Sequence, residues 1–172
     1  AADGVDVVVA LGGDGTLNEA ANGLVGTNTA LGVLPGGSTN VFARSIGLPN
    51  DPIEATADLL EALENTSISR VGLGSANGRY FCFHLGMGYD AALVEQVEKR
   101  SGLKRWAGHP LFIWAGLTTF FRHFDRKHPH FTVRYPDGDG CDEGFFAVCC
   151  NTNPYTYVGN TPFDIAPDAR LD

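Results

Sequence analysis

The chain has no uninterrupted apolar run of about 18 or more residues, the length an α-helix needs to span a bilayer, and no leader of the secretory type. Its four cysteines, Cys82, Cys141, Cys149 and Cys150, form no C-x-x-C pair. They read instead as small buried residues of a protein in a reducing, cytoplasmic compartment. His109, His123, His128 and His130 lack the i,i+4 spacing of a zinc helix, so no transition-metal site is assigned, and His84 reads as a hydrogen-bonded core histidine within a strand. There is no G-x-G-x-x-G, no G-x-x-x-x-G-K-[ST], no internal repeat and no low-complexity tract. Charge is sparse, 19% of 172 residues against 44% hydrophobic, with 22 glycines. That balance excludes a disordered chain and suits a compact α/β or α+β protein of one ordinary domain or two small ones.

The net charge of −8 is unevenly spread. From Lys99 to Lys127 lie seven of the 12 Lys and Arg and a single acid, Asp125, so this island carries +6 and the remainder −14. An acidic protein with one basic island is a poor general nucleic-acid binder and a fair one for local contact with anionic lipid or phosphate. The same island holds Trp106, Phe112, Trp114, Phe120, Phe121 and Phe124. Two readings stand here: a core helix with a solvated basic edge, or a surface in peripheral contact with a membrane.

What is present begins with an apolar run from Val5 that ends in Leu11-Gly12-Gly13-Asp14-Gly15-Thr16-Leu17-Asn18-Glu19. A buried strand closing in glycines and opening a helix can bring backbone N–H groups against phosphates, because glycine has no Cβ and the helix N-terminus adds partial positive charge. A carboxylate there would repel phosphate unless a metal ion or a reacting hydroxyl accompanies it, which points to phosphoryl transfer. Asp14 is therefore a candidate for chemistry, or else a helix cap. Thr16-Leu17-Asn18-Glu19 also matches a capping box, compatible with phosphate binding at the same helix start. After a second apolar run, Ala30 to Leu34, comes Gly36-Gly37-Ser38-Thr39-Asn40 and a helix expected from Ser38 to Ile46, stopped by Gly47. Ser38, Thr39 and Asn40 can contact phosphate or serve as an N-cap. Two such turns side by side at the carboxyl ends of parallel strands would form one ligand site.

Further on, Asp51-Pro52-Ile53-Glu54 supplies an N-cap, a proline at N1 and an acid at N3 for a helix ending near Asn65, with Ile53, Ala57, Leu60 and Leu63 expected inward. One β-hairpin is expected around Ala76-Asn77-Gly78. Another is expected between 131–135 and 144–151, with helices near 91–99 and 110–124 between them.

Gly12-Gly13-Asp14-Gly15-Thr16 with Asn18-Glu19 and Asn22-Gly23, then Gly36-Gly37-Ser38-Thr39-Asn40 with Phe42-Ala43-Arg44, resembles the catalytic domain of the bacterial diacylglycerol kinase and sphingosine kinase family. Gly86-Met87-Gly88-Tyr89-Asp90-Ala91 is similar to that family's glycine–aromatic–acidic motif, and 165–172 to its A-P-x-A-x-L-D segment. The GGDGT turn alone is shared with NAD kinases and phosphofructokinases; the later matches point to the lipid kinases.

The resemblance implies an α/β fold: a partial Rossmann-like nucleotide-binding domain over 1–65, then a mainly antiparallel β-sandwich domain over 66–172 on the substrate side. It implies an ATP- and Mg²⁺-dependent kinase acting on a hydroxyl of diacylglycerol or a related lipid. Gly12, Gly13, Asp14, Gly15, Thr16, Leu17, Asn18, Glu19, Gly37, Ser38, Thr39 and Asn40 would hold the nucleotide, and Asp14 and Asp90 would be the catalytic acids. Asp90 has a second reading as the N-cap of the following helix. Many members carry an acid where this chain has Val41. The family also implies a βαβ unit before the first strand and a general base beyond residue 172, so that these 172 residues alone are expected to be inactive, with an open apolar sheet edge favouring self-association. An NAD kinase-like enzyme and a non-catalytic nucleotide-sensing module are the alternatives.

Overall fold

A computed structural model describes residues 4–88 and 127–171. Asp90, the basic-aromatic island up to Arg126 and both helices expected there lie outside the described residues.

Strands β1 (Val7–Gly12) and β2 (Ala30–Pro35) pair in parallel, from Val7 opposite Ala30 to Gly12 opposite Pro35. Near-continuous apolar strands of this kind belong to a parallel sheet covered on its faces, and the crossover between them is α1 (Asp14–Leu24). The in-register pairing ends both strands at the same height, so the two glycine turns emerge beside each other as expected. α2 (Val41–Ser45) and α3 (Pro52–Glu64) follow.

The core is Leu17, Ala21, Val33, Phe42, Ala43 and Cys82, with Ala10, Leu31, Leu48, Leu73, Phe83 and Leu171 packed around it. Leu171, from the segment resembling A-P-x-A-x-L-D, thus returns to the first sheet, and its carbonyl accepts from the Gly72 amide at 3.4 Å.

Four local expectations change. α1 starts at Asp14, with Gly13 as N-cap and no side-chain cap, so the capping box of Thr16 and Glu19 does not form. The Glu19 carboxylate instead pairs with Arg79. α2 starts at Val41 rather than Ser38, because Asn40 takes a left-handed conformation (φ 52°) that interrupts the helix. It does end as expected: Gly47 has φ 87°, and Leu48 N donates to Ala43 O at 3.0 Å, which closes a Schellman turn.

α3 is capped by Asp51, whose Oδ1 accepts from Ile53 N and Glu54 N at 2.8 and 3.1 Å. Its buried face is Ala55, with Leu59 against Gly32, while Ile53 is 81% and Leu60 55% exposed, the reverse of the expected stripe. Apolar residues occupy both faces of this helix, so periodicity leaves its rotation open. What fixes it is Gly32, where a Cβ would stand 3.2 Å from Leu59 Cδ1.

The hairpin around Asn77-Gly78 is present as β3 (Gly74–Ala76) and β4 (Arg79–Phe81), with both turn residues at positive φ, the requirement of a type I′ turn. The second hairpin differs. β6 (Phe131–Arg134) pairs with β7 (Gly140–Gly144), whereas β8 (Phe146–Cys150) pairs with β5 (His84–Gly88). Gly138 at φ 95°, with Tyr135 N on Asp139 O at 2.8 Å, closes the turn early enough for the return arm to end at Gly144. A further hairpin, β9 (Thr156–Val158) with β10 (Thr161–Phe163), turns at Gly159. The fold is mixed α/β with small antiparallel sheets.

Residues 1–84 with 150–172 form one compact unit and 85–149 a second. Of the cysteines, Cys82 is buried as expected; Cys149 is exposed, on β8. His84 is half-buried and stacks on Tyr155 with ring centroids 4.5 Å apart.

Candidate active site

The site is built from the ends of β1 and β2. Gly36 N donates to Gly12 O at 2.9 Å, tying one turn to the other. A Cβ on Gly37 would lie 2.6 Å from Gly13 Cα, and one on Gly36 would lie 3.0 Å from Gly12 Cα and N. Real Cβ atoms essentially never show the first contact and rarely the second, so Gly37 is required by Gly13, and Gly36 is held close against Gly12. Gly12 is fixed separately, since a Cβ there would meet the Thr16 side chain at 2.6 Å. Gly15 differs from these four. Nothing lies within 4 Å of a Cβ built on it, and its backbone is ordinary helix. The surface beside Gly15, at the start of an 11-residue helix with no side-chain cap, is where an anion has room and donors.

Asp14 is half-buried at the first position of α1. Its Oδ1 accepts from Phe42 N at 2.9 Å, so it caps α2 across the two turns rather than its own helix. That bond leaves the second carboxylate oxygen for other work. Asn40 is only 2% exposed, and its amide is fully used inside the second turn: Oδ1 accepts from Gly37 N at 2.8 Å, and Nδ2 donates to Gly37 O at 3.0 Å and Asn50 Oδ1 at 2.8 Å. Ser38 is exposed and Thr39 half-buried on the same turn.

The structure brings Gly12, Gly13, Asp14, Gly15 and Thr16 together with Gly37, Ser38, Thr39 and Asn40. Leu17 points into the core, and its amide donates to Gly13 O at 3.1 Å. Asn18 and Glu19 face β4 through hydrogen bonds and an ion pair.

Two residues that the sequence analysis quoted within the family's motifs, but did not assign to the site, support it. Asn22 bonds β4 alongside Asn18. Arg44 lays its guanidinium 3.3 Å from the Tyr157 ring centroid and donates from Nη1 to Gly159 O at 3.1 Å, fixing the helix whose Phe42 amide Asp14 holds. Asn22 had a local signal in its i,i+4 spacing from Asn18; the pairing of Arg44 had none, because its partners are more than 110 residues away.

The Cys82 thiol is pushed up to about 11, first by burial and then by the negative charge of Asp14. Asp14 and the bend at Cys82, between β4 and β5, therefore share one electrostatic environment. Among the described residues no three His, Cys, Asp or Glu side chains gather as a metal site. A cation here would rest on Asp14 and on ligands brought by a phosphate, as Mg²⁺ does at many nucleotide sites.

Residues 1–71 match the diacylglycerol kinase catalytic domain family. Among curated relatives, a diacylglycerol kinase of Staphylococcus saprophyticus is 41% identical over 97% of this chain and 51% of its own length. One of Bacillus subtilis is 36% identical over 65% of the chain and 36% of its own length. A probable YegS-like lipid kinase of Chromohalobacter salexigens is 34% identical over 79% of the chain and 42% of its own length. A solved diacylglycerol kinase structure from Bacillus anthracis superposes with a TM-score of 0.64 at 26% identity, over 99% of this chain and 52% of that one. The chain thus spans about half the length, or less, of the relatives it matches.

Proposed function

Taking residues 1–71 as a diacylglycerol kinase catalytic domain, we propose that the protein transfers the terminal phosphate of Mg·ATP to a hydroxyl of diacylglycerol or a related lipid. The observation that carries this reading is the pair of interlocked glycine turns beside an uncapped helix start that begins with Asp14. When bound, Mg·ATP supplies the phosphoryl group and a cation that neutralises charge on it. The backbone amides at 14–16, with Ser38 and Thr39, hold anionic oxygens against the opening beside Gly15. The Asp14 oxygen not engaged by Phe42 N would hold the cation. Asp90, outside the described residues, is assigned to placing the lipid hydroxyl. Chemistry of this type rests on positioning and charge neutralisation more than on covalent work by the protein.

The finer architecture belongs to the same proposal: a partial Rossmann-like unit over 1–65 and a β-sandwich over 66–172. So does a cytoplasmic protein making peripheral membrane contact through the basic island, with self-association of copies. No described helix is long and apolar enough to cross a membrane.

Transfer of labelled phosphate from Mg·ATP to a lipid panel by the full-length protein tests the reading. Asp14→Asn is the informative variant, because the amide keeps an oxygen for the Phe42 N–H and loses only the charge. Turnover on diacylglycerol should fall by about 10²–10³, while the unfolding midpoint stays in place. Near-normal turnover would leave Asp14 as the cap of α2 alone. Mg·ATP binding without transfer to any lipid would turn the reading toward a nucleotide-sensing module.

A further inference from the structure

Asp14, Asn18 and Asn22 recur at i, i+4 and i+8, which sets them on one face of α1. The first engages α2, and the other two engage the backbone of β4 and of Cys82 just past its end. Asn18 Oδ1 accepts from Cys82 N at 3.0 Å, and its Nδ2 donates to Tyr80 O at 3.3 Å. Asn22 Oδ1 accepts from Tyr80 N at 2.9 Å, and its Nδ2 donates to Tyr80 O at 2.8 Å and to Asn18 O at 2.9 Å.

Residues 80 and 82 share one edge of the strand, the edge away from β3. A carboxamide carries both a donor and an acceptor, so two of them one helical turn apart can stand in for the missing neighbour strand. No other short side chain offers both groups in that form. The Glu19–Arg79 pair beside them is about two-thirds exposed on both sides and adds little.

We infer that Asn18 and Asn22 position the nucleotide turn by locking α1 to the edge of β4, which makes the β3–β4 hairpin part of what sets nucleotide affinity although it contributes no residue to the turn. This rests on the reading of that turn as the Mg·ATP site. Both ends of the Asn18 carboxamide are occupied, by Tyr80 of β4 and by Cys82 just past it, so its role runs through that stretch of chain. Asn22 lies eight residues from Asp14, about 12 Å along the helix axis, out of reach of phosphates at the helix start. An effect of Asn22 on nucleotide binding must therefore travel through α1.

The test pairs Mg·ATP affinity with amide hydrogen exchange at Tyr80 and Cys82, measured well below the unfolding temperature. Asn22→Ala should speed exchange at both amides and weaken Mg·ATP binding about tenfold. Asn22→Gln, which keeps donor and acceptor, should stay within about threefold of the unaltered protein and guards against simple misfolding of the alanine variant. Arg79→Gln, which breaks the exposed ion pair with Glu19 from the hairpin side, should leave both readouts in place. Faster exchange with unchanged Mg·ATP affinity would overturn the inference and reduce the clamp to a structural contact. Failure of the unaltered protein to bind Mg·ATP at all would overturn the nucleotide reading and the inference with it, an outcome distinct from loss of the coupling alone.

Discussion

At the scale of the residue, the glycines divide by what surrounds them. Sequence reasoning took Gly12, Gly13, Gly15 and Gly37 as room for phosphate. Open space at the Cβ position is found at Gly15, while Gly13 and Gly37 face each other and Gly12 faces the Thr16 side chain. The distinction was not legible because it depends on where the second turn comes to rest. Gly15 and Gly23 both lie in α1 with open space at the Cβ position, so alanine at either should stabilise the fold by about 0.5–1 kcal/mol through the unfolded chain. Their effects on nucleotide should diverge. Gly15→Ala should weaken Mg·ATP binding at least tenfold, and Gly23→Ala should not change it. Calorimetric titration alongside denaturant unfolding reads both effects, and equal affinity in the two variants would move the phosphates away from the start of α1. Asn40 was legible as a site residue but not as a buried one: its left-handed backbone and fully bonded amide make it the brace of the second turn.

Among the elements, ends were easier to read than faces. The cap at Asp51, the proline after it and the glycine after α2 are each enforced by backbone groups within a few residues, so local sequence suffices. The inward face of α3 was misread because Ile53, Ala57 and Leu60 repeat as regularly as Ala55, Leu59 and Ala62. Only the contact with Gly32 distinguishes them. α3 also ends on a residue that sequence rules would not select. Thr66 follows the C-cap with φ 50°, and Ser67 N donates to Ala62 O at 2.8 Å, the same closure that Gly47 gives α2. A β-branched residue in that conformation costs roughly 1–2 kcal/mol relative to glycine. Thr66→Gly should therefore raise the urea midpoint by an amount equivalent to about 1 kcal/mol, less than the full strain because glycine frees the unfolded chain. A lower midpoint would mean that the threonine side chain contributes more than its backbone costs.

For the molecule as a whole, what sequence left hidden is the long-range closure. Leu171 reaches the core laid down by Leu17 and Val33, and Asn151 Nδ2 donates to Cys82 O at 3.0 Å and Gly72 O at 2.9 Å. Pairings across about 60 residues or more leave no periodic trace, which is also why β8 was assigned to the wrong partner. They seal Cys82 in the core within reach of the Asp14 charge, and a pH dependence follows. The thiol titrates near 9.0 when solvated and near 11 in the folded protein, so the native state holds this proton more tightly than the unfolded chain does. The resulting stabilisation is complete below pH 9 and is lost as pH rises toward 11. By pH 10.5 it should have fallen by about 2 kcal/mol. Other groups titrate in the same range, so the measurement is a difference: urea unfolding of the unaltered protein and of Cys82→Ala at pH 8 and pH 10.5. The alanine variant starts lower because of the cavity it leaves but should lose less over the interval. Asp14→Asn, which removes the second cause of the shift and keeps the first, should retain most of the pH-dependent loss. Parallel pH profiles for the unaltered protein and Cys82→Ala would show that the thiol is not held as the packing of 82, 151 and 171 requires.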